Sequence, residues 1–225
     1  MRKVWEILFA ALITGCIVTC SDNKPCVYNK EVINYYTEIS TENEFGGNSF
    51  PIYKWTTNPV IKMFGGLTSQ DSVEVVKIIT ELNSLQGEIT LSITDTDNYN
   101  LAMHFIAAKD FSTILPISIK NLLGFAVFYD NKFTSQINEG IILIDTAKKT
   151  ELYRNRIIRE ELTQVLGLPN DVYSELYPTS IFNGRIVLYP EKYEPIDRLL
   201  IQMHYSSVTK PGMTAEQLRE LECWR

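Results

Sequence analysis

Histidine is nearly absent from this 225-residue chain: there are two, His104 and His204. A catalytic zinc generally takes three protein ligands, most often imidazoles, so this sequence is short of the residues for a His-based zinc centre. The four cysteines, at positions 16, 20, 26 and 223, form no C-x-x-C pair, which argues against a cysteine-based metal site. Long apolar runs are missing too. The longest, residues 4–13, is broken by Glu6 and is too short to span a bilayer. Cations are outnumbered, 21 Lys and Arg against 27 Asp and Glu, so the chain carries no electrostatic footprint for nucleic acid. Internal repeats and low-complexity tracts are absent as well.

What the N-terminus does have is the pattern of an export signal. Met1-Arg2-Lys3 is basic, residues 4–13 are apolar, and small residues follow. Ile13-Thr14-Gly15-Cys16 resembles the bacterial lipobox, in which the cysteine becomes the lipid-bearing first residue of the mature protein. Cys20 is the alternative, because Ser21-Asp22-Asn23-Lys24 after it suits a tether, although Thr19 is a poor residue at the cleavage position. The expected organisation is a signal peptide over 1–15, a tether over 16–30, and one domain over 31–225. Removing residues 1–15, with Arg2, Lys3 and Glu6, leaves the remainder one charge more negative. In an exported protein Cys223 is free to pair with Cys26 or Cys20, and spacing does not decide which.

Along the domain, residues 29–39 predict a short helix with Val32, Ile33, Tyr36 and Ile39 on one side. Residues 52–64 read as a strand ended by Gly65-Gly66. Ser69 or Asp71 is expected to cap a helix whose apolar residues Val73, Val76, Ile78, Ile79 and Leu82 recur at three- and four-residue spacing. Residues 89–93 alternate as a half-buried strand, and the Asp- and Asn-rich run 94–100 is a turn. Residues 101–107 and 124–129 predict two more strands, and 140–144 is apolar enough to be central. Thr150 then caps a helix to Leu166, with Ile158, Leu162, Val165 and Leu166 facing the core. Arg156, Glu160, Gln164 and Gly167 share another face, so Glu160 and Gln164 point the same way. This order predicts an α/β or α+β fold, with a twisted mixed sheet packed on two main helices and a small helical subdomain at the C-terminus.

The segment Glu160-Glu161-Leu162-Thr163-Gln164-Val165-Leu166-Gly167-Leu168-Pro169-Asn170-Asp171 resembles a metzincin site, H-E-x-x-H-x-x-G-x-x-H, without its histidines. The three ligand positions read Glu160, Gln164 and Asn170. The position of the general base, Glu161, and the helix-ending Gly167 are kept. With Ser180-Ile181-Phe182, Pro195-Ile196-Asp197, residues 199–205 and Lys210-Pro211-Gly212-Met213, this segment is similar to DUF2927, a bacterial domain of unknown function found on lipoproteins. Glu44-Phe45-Gly46, Lys54-Trp55, Asn100-Leu101 and Phe105 fit the same pattern, and the resemblance covers about residues 32–213. It implies a zincin-like fold in which Glu-Glu-x-x-Gln is the ordinary form. It also implies a tight turn at 180–182, with Phe182 where metzincins carry Met, followed by a closing helix from Asp197 to Tyr205.

Little zinc chemistry is left in such a frame, and no cofactor is expected. Glu160, Gln164 and Asp171 are a sparse oxygen set for a hard cation. Glu160 and Glu161 are neighbours on a helix and point about 100° apart, so they do not face each other as an acid–base dyad. The expected arrangement pairs Glu161 with an arginine such as Arg156 or Arg159, and joins Glu160, Gln164 and Asn170 in a polar network. Tyr173, Tyr177, Tyr189 and Tyr193 are candidates for the lip of a cleft. The function expected is a lipid-anchored, non-zinc binding module of the bacterial cell envelope, taking a peptide, a glycan or an envelope protein. A hydrolase using Glu161, with a mechanism the sequence does not name, and a structural subunit of an envelope complex are the alternatives.

Overall fold

The computed structural model describes residues 28–42, 49–116, 122–147, 150–184 and 192–221. All four cysteines, Tyr189 and the Glu44-Phe45-Gly46 motif lie outside them.

Helix α1, Lys30–Thr41, starts where Asn29 Oδ1 accepts from the Val32 N–H at 2.9 Å, and it buries Val32, Tyr35, Tyr36 and Ile39. The single strand expected over 52–64 is two strands, β1 Lys54–Trp55 and β2 Val60–Gly65. Thr56, Thr57 and Asn58 between them are exposed, and Pro59 has no N–H to give to a ladder. Helix α2, Ser69–Leu85, is capped by Thr68, one residue before the expected Ser69. Thr68 Oγ1 accepts from the Asp71 N–H at 3.1 Å, and Asp71 Oδ2 accepts from the Thr68 N–H at 2.7 Å, which makes Asp71 the reciprocal partner in a capping box.

Only the end of the expected 89–93 strand is in the ladder, as β3 Ser92–Ile93, although Ile89 and Leu91 bury as the alternation requires. Strands β4 Leu101–Ile106, β5 Gly124–Asn131 and β6 Gln136–Asp145 complete the sheet, with a short 3-10 helix, Ala108–Thr113, after β4. β6 is central as its apolar run predicts. It runs parallel to β4 on one side, with β1 continuing that side beside Gln136 and Ile137, and antiparallel to β5 on the other. The main order is β3-β2-β4-β6-β5.

Side chains alternate across this sheet. Ile61, Met103, Phe105, Ile142 and Ile144 join Val75, Ile78 and Leu82 of α2 in the main core. Ile158 and Leu162 reach the same core from α3, Glu151–Gln164. Leu143 points the other way, into a small cluster with Phe111 and Leu115. Helices α4, Pro195–His204, and α5, Ala215–Arg219, follow, and α5 packs on α1. The fold is thus a mixed α/β arrangement of the class expected. No described helix is long and apolar enough to cross a membrane.

Candidate functional site

α3 ends two residues before the expected Leu166, and the carbonyls just past its end find buried donors. Trp55 Nε1 donates to the Val165 carbonyl and the Tyr205 hydroxyl to that of Leu166, each at 2.9 Å. Gly167 then reverses the chain with φ +106°, and a Cβ there would overlap the Tyr53 carbonyl, so both conformation and space require glycine.

One face of α3 carries Arg156, Glu160 and Gln164, and the loop after Gly167 lies along it. Arg156 Nη1 donates to Glu160 Oε2 at 2.6 Å with both side chains buried, and Nη2 reaches the Ile181 carbonyl at 3.5 Å. Gln164 Nε2 donates to Asp171 Oδ1 at 2.9 Å. Burial pushes the Asp171 carboxyl above its ordinary range, opposed by a hydrogen bond with Glu160, by the Arg156 charge and by the Gln164 bond.

Asn170 does not join this network, contrary to expectation. Its N–H goes to the Ile39 carbonyl at 3.2 Å and its Nδ2 to the Glu38 carbonyl at 3.0 Å, so it serves the open C-terminal end of α1 while its neighbour Asp171 faces the cluster. The two arginines nearest Glu161 in sequence are held by other carboxylates. Arg156 holds Glu160, and the fully buried Arg159 takes Glu81 at 2.6 Å and Glu74 at 3.1 Å. Glu161 itself is buried beneath β5, where any side chain at Gly124 would overlap its carboxyl.

Below the cluster is the turn expected at 180–182. Asp197 Oδ1 accepts from the Ser180 hydroxyl at 2.7 Å and from the Ile181 N–H at 3.1 Å, while Oδ2 accepts from the Glu194 N–H at 3.0 Å. Burial raises the Asp197 carboxyl to about 6, against these bonds. Neither histidine belongs to the cluster. His104 stacks on Phe64 at 4.8 Å. His204 is wholly buried beneath the Gly167 turn, 3.0 Å through Nδ1 from the Tyr36 hydroxyl, and burial lowers it to about 3.

These residues do not fit a catalytic zinc. The carboxylate on the ligand face is bound to a guanidinium, the second position is an amide already bonded to Asp171, and the third faces α1. Among the described residues, no three His, Cys, Asp or Glu side chains gather as a metal cage would require. The tyrosines divide as well. Tyr173 is exposed, and Tyr177 packs on Tyr35 at 4.9 Å. Tyr193 is no lip residue: it is buried, with its hydroxyl 2.7 Å from Thr163 Oγ1 and the Arg159 guanidinium over its ring.

Strand pairing adds a feature that periodicity alone does not reveal. The Asp145 N–H donates to the Leu123 carbonyl, and the register continues from Gly124↔Ile144 to Tyr129↔Glu139. In an antiparallel ladder the bonded pairs alternate, so Phe125, Val127 and Tyr129 bond to β6. Gly124, Ala126 and Phe128 therefore turn their N–H and C=O groups outward. Among the described residues no strand lies across that edge.

A sequence profile of the family described as "Protein of unknown function (DUF2927)" matches residues 29–221, which takes in α1 to α5. The chain belongs to the DUF2927 family. Among solved structures it is similar to one titled "Structure of myroilysin", at 12% identity and a TM-score of 0.45, covering 68% of this chain and 95% of that one. No curated protein matches it. In this DUF2927 chain, then, the candidate site is the polar cluster at Arg156, Glu160, Gln164 and Asp171, with Glu161 and the open edge of β5 beside it.

Proposed function

We propose that this protein is a lipid-anchored module of the bacterial cell envelope that binds an extended peptide along the open edge of β5, without hydrolysing it by zinc chemistry. The carrying observation is that edge. β5 has eight residues and contains no proline or lysine, the usual devices that keep an exposed edge from pairing with another chain. Its one irregularity is the register shift at Tyr129/Asp130, beyond the outward groups of Gly124, Ala126 and Phe128. Such an edge is a template for strand addition, in which main-chain hydrogen bonds give affinity and alternate side chains give selectivity. Peptide residues beside Gly124 would lie next to Glu161. This favours a peptide over a glycan, which has no N–H and C=O row to match the edge. The lipid-anchor part of the reading rests on the lipobox at Cys16.

Ala126→Pro is the discriminating variant. It removes an outward N–H while leaving the β6 ladder bonds in place, so the protein should fold and lose capture of strand-forming sequences from a short-peptide library. Equal capture by parent and variant would reject edge pairing, and capture of envelope glycan by both would assign the site to sugar. For the anchor, Cys16→Ala should move the protein from the membrane to the soluble fraction. Unchanged fractionation with an unmodified Cys16 would reject it.

A further inference from the structure

An apolar groove of about 370 Å³ opens between the first turn of α1, the loop 176–179 and the first turn of α4. Its volume is in the range of small-molecule sites, roughly 300–1,000 Å³. Val32, Leu176, Tyr177, Pro178, Ile196 and Leu199 supply most of its wall. Glu194 is the one charged residue there, and its carboxylate is engaged in the capping box of α4. A charged ligand therefore finds no free counter-ion. The walls are also built in advance. Asn183 Nδ2 ties down the Ser174 and Tyr177 carbonyls at 2.7 and 3.0 Å, and Asp197 holds the 180–182 turn to α4. Leu176 nonetheless stays 68% exposed, an apolar residue left in water at the groove.

The place where the chain enters the domain selects the occupant. Val32 lies in the first turn of α1, four residues after Tyr28 in the sequence. Cys16 precedes Tyr28 by 12 residues, and an extended segment of that length reaches up to about 40 Å. A lipid on Cys16 is therefore tethered within reach of the groove, at an effective concentration of the order of millimolar. We infer that this groove receives an acyl chain carried by Cys16. The inference rests on the lipid-anchor reading and adds to it a seat on the domain, which draws one chain out of the bilayer and fixes how the domain stands on the membrane.

The test uses the full-length protein in cells fed a diazirine-bearing fatty acid that is built into the lipoprotein anchor. Irradiation followed by peptide mapping should place cross-links within residues 173–184 and 192–199. Leu176→Asp, at an exposed position, should reduce those cross-links about tenfold, corresponding to a polar group placed against the chain. Ile196→Ser should do the same. Intact mass reads the anchor separately. Lipid on Cys16 with cross-links only to bilayer lipid, to other parts of the domain or to a second copy would overturn the groove's role and leave the anchor standing. An unmodified Cys16 would overturn both.

Discussion

Arg156 decides what the polar face of α3 holds. Its guanidinium is buried 2.6 Å from Glu160, and it supplies the positive charge that holds this carboxylate. Removing one member of such a pair strands a buried charge, so Arg156→Met should cost about 3–5 kcal/mol in urea unfolding. Arg156→Met with Glu160→Met replaces both charges with apolar volume and should recover most of that loss. A single variant within about 1 kcal/mol of the parent would contradict the buried pair. Gln164→Ala, which deprives Asp171 of a donor, should cost about 1–3 kcal/mol. The shared face of Arg156, Glu160 and Gln164 is legible in the sequence, because helical spacing fixes direction. Asp171 is among the candidates the sequence offers, but that Asn170 turns away to α1 is not legible, because the turn at Gly167 decides which of two consecutive loop residues faces inward.

At the scale of the element, α4 carries two buried groups of opposite pH dependence. His204, lowered to about 3, contributes stability that is complete above its ordinary value of 6.5 and lost as pH falls toward 3. Asp197, raised to about 6, contributes stability that is complete below 3.8 and lost as pH rises through 6. Between pH 6 and 4 the two slopes oppose each other, at about 1.4 kcal/mol per pH unit each. The raised Asp171 acts in the same direction as Asp197. Removing the histidine exposes the carboxylate slope, so His204→Gln should gain up to about 3 kcal/mol relative to the parent between pH 6 and 4, read from denaturant unfolding at each pH. Parallel profiles for parent and variant would reject the buried neutral imidazole. Sequence placed α4 through its resemblance and the β6 core run through its composition. It missed the break at 56–59 and the Thr68 cap, where the competing signals were a proline that interrupts pairing and a reciprocal Thr–Asp box one residue upstream of a plausible serine.

At the scale of the whole molecule, the alternation of strands and helices was enough to give the α/β class, because period-two and period-3.6 patterns follow one another in turn along the chain. The open edge of β5 and the groove beside α1 were out of reach, since each depends on which distant segments become neighbours. Together these features describe a mixed α/β domain in which the positions of the metzincin-like motif Glu160 to Asp171 hold an internally bonded polar cluster instead of metal ligands, with the β5 edge as the surface proposed for a ligand. Zinc content is the most direct measurement of that claim. Purified full-length protein equilibrated with zinc and then dialysed should retain far less than one zinc per chain, with no change in Glu160→Gln. One zinc per chain, lost in Glu160→Gln, would contradict the account.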